Sequence, residues 1–185
     1  MSSRKPNLLR GLLVGAAAGI TATLVMDQFQ KLSDASTKAI DKHQKLADGE
    51  SPWQIAHEQA QQQQQQASQE GSTEIVARHI ANAANTSIPP DQRKQAGQAV
   101  HFTFGTLVGI AYGIAAEILP EVASGGGTAF GTLLFLGADE LAVPALQLSP
   151  APTDTPPTDH LQHWAAHVVY GGALELTRTL LRRLL

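Results

Sequence analysis

Between Ala99 and Leu119 the chain runs for 21 residues with two ionisable groups, His101 and Glu117. A helix needs roughly 20 mostly apolar residues to cross the hydrocarbon core of a bilayer, and this stretch supplies them. Its small residues keep a strict rhythm. Gly97, His101, Gly105, Gly109, Gly113 and Glu117 recur every fourth position, so on a helix they form one stripe. Glycine on such a stripe lets a second backbone come close. This groove carries an imidazole at one end and a carboxylate at the other. Any fold the chain adopts must bury this segment and find an environment for both groups.

Three more segments read as spans. Leu8 to Met26 holds the ladder Gly11, Gly15 and Gly19, with Arg10 able to snorkel to the interface. At 19 residues it exceeds the h-region of a signal peptide and no A-x-A site follows, which favours an uncleaved first span. Residues 126–146 form a third apolar segment with the stripe Gly127, Gly131, Phe135 and Asp139, and Pro144 kinks or ends it. Asp139 and Glu140 point about 100° apart on a helix, and Asp139 is expected to be the inward one. Residues 160–181 form the fourth span, capped by Thr158 or Asp159. Its stripe is His163, His167, Gly171 and Glu175, with Tyr170 and Arg178 close by and Trp164 suited to an interface.

The architecture expected is therefore all-α, a four-helix transmembrane bundle with a long polar, partly helical connection between its first two spans. Residues 27–48 continue the first helix as an amphipathic arm, with Phe29, Leu32, Ser36, Ile40, His43 and Ala47 on one face. Residues 49–96 form the connection. It contains six consecutive glutamines, a short amphipathic helix around Ile75–Ala83, and a break at Ser87–Asp91. The mean hydropathy of −0.10 averages these polar residues with the spans and hides them.

A net charge of −3 gives no nucleic-acid footprint, and the absence of cysteine excludes disulfides and thiolate metal sites. The expected partners are the lipid bilayer and a second copy or a larger membrane complex. Each terminal region carries three Lys/Arg while the loops at 120–127 and 149–160 carry none, which favours cytoplasmic termini. The Met26–Val100 connection, placed outside, holds seven Lys/Arg and argues the other way, although long connections follow the rule poorly.

Antiparallel alternation sets the depth of the ionisable groups. His101, Asp139, His163 and His167 fall in the half of the bundle facing the long connection, with Asp27 at that membrane face. Glu117 and Glu175 fall in the opposite half, near Arg178. Groups at such depths cost roughly 2.5–3.5 kcal/mol each to insert, so they pair or face water. Pairing would hold the helices in register. The alternative is work: histidine titrates near neutral pH and a carboxylate in a dry site is driven towards the same range, which suits proton or ion handling. His163 and His167, at i and i+4, are also weak candidates for a metal site. No nucleophile with a partner stands out and no H-E-x-x-H motif occurs, so the chain is not expected to be an enzyme or to need a cofactor. A metal-dependent membrane enzyme is the third reading, after ion handling and an accessory subunit.

Residues 101–121, 140–150 and 163–183 resemble the YagU-like bacterial inner-membrane proteins, a family without an established biochemical role. The resemblance lies in a histidine opening a glycine-containing span that ends Ala-Glu-x-x-Pro, then a span ending in proline and a Leu-x-Pro turn. The last helix carries His-x-Val-aromatic, a glutamate and paired arginines. These fall at His101, Glu117, Pro120, Pro144, Pro150, His167, Tyr170, Glu175, Arg182 and Arg183. The resemblance implies a multi-pass inner-membrane protein and supplies no established catalytic residues. It covers 8–26 loosely and 97–183 well, and leaves out the glutamine-rich connection.

Overall fold

The computed structural model describes residues 7–184, so Arg4 and Lys5 of the charge comparison lie outside the described residues. Among them the fold is entirely helical, without strands. Helix α1 is Leu8–Ala47, α2 is Pro52–Ser68, α3 is Ser72–Ala83 and α4 is Arg93–Ile118. Helix α5 begins as Thr128–Leu134 and continues through a π-helical stretch, Phe135–Ala142, into Val143–Ala145. Helix α6 is Pro157–Leu184. It starts on Pro157 at the first helical position, one residue before the caps the sequence offers.

Helix α1 is one uninterrupted rod, with Asn7 accepting from the Arg10 N–H at its start. It stops at a Schellman turn. The N–H of Glu50 donates to the Lys45 carbonyl and that of Gly49 to Leu46, with Gly49 at φ 89°. The connection is more ordered than its composition suggests. Ser51 and Gln54 form a capping box around Pro52, which launches α2 through the glutamine run. Helix α3 then packs on α4, with Thr73 and Glu74 against Gly97 and with Ala77 and Ala81 buried, while His79 and Ile80 stay exposed.

Helix α1 crosses α4 along the two glycine ladders. Gly11 meets Gly113, Gly15 meets Gly109 and Gly19 meets Gly105, so the pair is antiparallel. A β-carbon on Gly19 would sit 2.7 Å from the Gly105 carbonyl oxygen, and one on Gly109 2.5 Å from the Gly19 Cα. A second seam joins α5 and α6, with Gly127 against Gly171 and Gly131 against the His167 carbonyl. Helix α1 also runs antiparallel to α6. The Arg10 guanidinium donates to the Arg182 carbonyl at one end, and Gln162 donates to Ser33 (3.0 Å) and Asp34 (2.9 Å) at the other. Helices α1 and α5 therefore run one way, α4 and α6 the other. Ala18, Ala22, Met26, Tyr112, Ala166, Tyr170 and Leu174 form the shared core.

Among the described residues two helical stretches are long and apolar enough to cross a membrane, Leu8–Ala47 and Pro90–Ile118. The other two bundle helices do not meet that description for separate reasons. Helix α5 is divided by its π-helical stretch, and α6 carries histidines, a glutamate and arginines. The π stretch follows from Pro144, which has no N–H to continue the α-helical ladder. The Val143 N–H reaches back five residues to Ala138 instead.

Candidate functional site

Four of the residues singled out from the sequence meet around one cavity. It has a volume of about 430 Å³ and lies among α1, α3, α4, α5 and α6. His101 comes from α4, Asp139 from α5, and His163 and His167 from α6. The remaining wall is largely apolar, including Met26, Val76, Phe104 and Leu134. No Lys or Arg lines it among the described residues.

Each polar group is held in a definite way. Asp139 places one carboxylate oxygen 3.7 Å from His167 Nδ1 and 3.8 Å from His163 Nδ1, beyond hydrogen-bond reach of both. His167 is buried, and its Nδ1 lies 3.0 Å from the His163 carbonyl. A carbonyl only accepts, so Nδ1 carries the proton and a neutral His167 keeps Nε2 as an acceptor. The Phe135 ring packs 5.8 Å from the imidazole, centroid to centroid. Tyr170 closes the floor by donating to the Gly105 carbonyl at 2.6 Å.

Asp27, which the sequence reading set at the membrane face, is tied into this end of the bundle. One of its oxygens accepts from Gln98 at 2.6 Å and the other lies 3.1 Å from His101 Nε2. The latter approach is not aligned as a hydrogen bond, and Nε2 is buried with no other partner among the described residues. Gln98 sits one turn before His101 on the apolar stretch, and that spacing is the sequence signal that points to the contact.

Glu140 is turned away from the cavity, as the angular separation on the helix requires. It contacts His160 Nδ1 at 2.7 Å, while His160 Nε2 lies 3.0 Å from the Pro152 carbonyl. An imidazole between a carboxylate and a carbonyl is fully satisfied when both nitrogens carry protons. This clasp anchors the proline-rich loop at 149–158 to α5, and no periodicity in the sequence signals it.

Glu117 and Glu175 sit at the other end and each has its own arginine. Arg182 reaches Glu117 at 3.1 Å, and Glu117 is nearly enclosed at 5% exposure. Glu175 accepts from Arg178 (2.6 and 2.8 Å), Tyr112 (2.8 Å) and Thr179 (2.9 Å), which fills its acceptor sites. Between this end and the cavity lie Ala18, Tyr112 and Leu174, all fully packed. The two polar ends are thus separated by a dry layer. Among the described residues no three His, Asp or Glu side chains gather as a metal ion would require.

Fold and site together define a helical-bundle protein with two membrane-length apolar helices and an imidazole–carboxylate cavity between its helices. The chain belongs to the family described as Protein of unknown function (DUF1440), whose profile matches residues 57–176. The match takes in α3, α4, α5 and most of α2 and α6, and hence His101, Asp139, His163 and His167. It also takes in the glutamine run, which the sequence resemblance left out, and it omits α1. No curated protein matches the chain, and no solved structure does.

Proposed function

We propose that the chain is a four-span, non-enzymatic integral membrane protein of the YagU-like inner-membrane kind, whose cavity takes up protons or a cation. The observation that carries this is the meeting of His101, Asp139, His163 and His167 around one largely apolar chamber without a fixed positive charge. Ionisable groups in such surroundings persist where they pair or act, and Asp139 has no hydrogen-bonded partner among them. Both termini lie on the cytoplasmic side, so the cavity and the long connection face outward. Purified protein in liposomes loaded with a pH-sensitive dye tests the reading. Gradient-driven flux is expected to fall with His167→Ala and Asp139→Asn and to survive His79→Ala on the exposed face of α3. Absence of flux under every gradient, or equal flux in all variants, overturns it.

A second reading is an accessory subunit of a larger membrane complex. It is favoured by the arm beyond the bundle, where Leu32 and Ile40 are 68% and 65% exposed, and by Trp53 of the adjoining α2, which is 73% exposed. The expected apolar face of the arm is thus uncovered, apart from Phe29 against the core. This reading expects a stoichiometric partner in mild detergent that is lost on Leu32→Lys/Ile40→Lys substitution. A monomeric, unaccompanied preparation counts against it.

A further inference from the structure

The cavity is bordered on one side by exposed apolar residues. Helices α4 and α5 leave the Pro120–Gly127 turn together, held by the Tyr112 and Phe130 rings at 4.7 Å between centroids. Further from the turn they share the cavity walls and do not form a packed seam. Phe104 of α4 and Leu146 just beyond α5 line this region and are 49% and 67% exposed. Exposed apolar side chains thus line this part of the cavity, and Asp139 is among the residues around it.

We infer that this cavity is a binding site for a lipophilic organic monocation of one or two aromatic rings. This rests on the membrane reading of the bundle and names the ligand class of the same site. Three features select that class. The volume falls within the roughly 300–1,000 Å³ common for small-molecule sites. The wall supplies apolar area, with the Phe104 and Tyr170 rings available to a cation's face. No fixed positive charge offsets the carboxyl group: Asp139 has only imidazoles near it, at 3.7 and 3.8 Å, and no Lys or Arg lines the chamber. An anion would meet this carboxylate with no fixed positive charge to offset it, and among the described residues no three His, Asp or Glu side chains gather as a metal ion would require. A diffuse organic cation sheds its weak hydration at small cost and gains both the charge contact and the apolar wall.

The matched probes are N-benzylpyridinium and its uncharged isostere diphenylmethane, measured by saturation-transfer NMR and equilibrium dialysis on the full chain in detergent. Benzylpyridinium is expected to bind more tightly than diphenylmethane. Asp139→Asn is expected to weaken it by about tenfold or more, the scale of a close charge pair, while Asp139→Glu retains most of the affinity. Ala138→Phe, which fills the chamber and leaves the charge, should abolish binding of both probes. Variants are compared only where the helical signal and melting curve match the parent protein, and Asp139→Glu and Ala138→Phe carry the test if Asp139→Asn does not fold. Equal binding of the two probes, or binding indifferent to both Asp139→Asn and Ala138→Phe, overturns the inference. Binding that follows these expectations without proton or cation flux in liposomes leaves it standing and defeats the transport reading alone.

Discussion

Single residues carry most of what the site depends on, and the glycines show how the sequence encodes it. The every-fourth-residue rhythm of Gly105, Gly109 and Gly113 was legible as a stripe, but not which backbone would fill it. The answer is the equivalent ladder on α1, so the stripe is a packing seam and the polar chamber lies beside it. Adding a methyl group at Gly109 has no room to be absorbed, because the nearest atoms belong to the backbone of α1. Gly109→Ala should therefore destabilise the bundle by about 1–3 kcal/mol, visible as a lower melting temperature in detergent. Gly172→Ala, where no atom lies within reach, should leave the melt unchanged or raise it. At the other end, Arg178→Ala strips a mostly buried carboxylate of its partner. It should cost about 3–5 kcal/mol, with Arg178→Ala/Glu175→Gln recovering part of the loss.

At the scale of elements, the helices were legible from periodicity and the joints between them were not. The glutamine run looked like a connector because composition alone offers it no core to join. The capping box at Ser51 and Gln54 nevertheless starts a helix there, and Ile55 is fully buried near its beginning. Between α2 and α3, Glu70 accepts from Arg78 at 3.1 and 3.2 Å, and Arg93 stands 3.8 Å away. The Arg78 hydrogen bond holds the Glu70 carboxyl below the usual glutamate range. A carboxyl with a lowered folded pKa stabilises above its unfolded value and loses that contribution as pH falls through the folded value. Amide exchange around residues 69–72 should accordingly be flat from pH 8 to 6 after correction for intrinsic rates, and rise below the glutamate range. Glu70→Gln should remove the pH dependence.

A further joint ends α5, where Gln147 occupies the left-handed region at φ 57° and the Leu148 N–H donates to the Val143 carbonyl. Glycine suits that position better than glutamine. Gln147→Gly should stabilise the protein by about 1 kcal/mol in chemical or thermal melts.

For the whole molecule, alternation of four helices was enough to assign His101, Asp139, His163 and His167 to one end and Glu117 and Glu175 to the other. That part needs only helix direction and rise per residue. The dry layer of Ala18, Tyr112 and Leu174 was not legible, since burial depends on which neighbours arrive. The clasp of His160 on Glu140 was missed for a similar reason: a proline-rich loop folds back in a way that no periodicity records. The chain has no cysteine, so single cysteines report topology without background. With four spans, Glu50→Cys and Ser149→Cys should label from one side of the membrane and Ser124→Cys from the other. Labelling of Ser124→Cys and Ser149→Cys from the same side would leave α5 outside the bilayer.

Helix α1 is about 60 Å long by its 40 residues, roughly twice the hydrocarbon thickness of a bilayer. Gln162 holds the rod at Ser33 and Asp34, and residues 35–47 then extend for about 20 Å. One hydrogen-bond ladder joins the part beside the cavity, with Asp27 against His101, to the tip where Lys45 meets Glu58 of α2. The rod thus projects past its Gln162 contact as a single continuous helix. A tilt of about 10° at that contact would carry the tip roughly 3 Å.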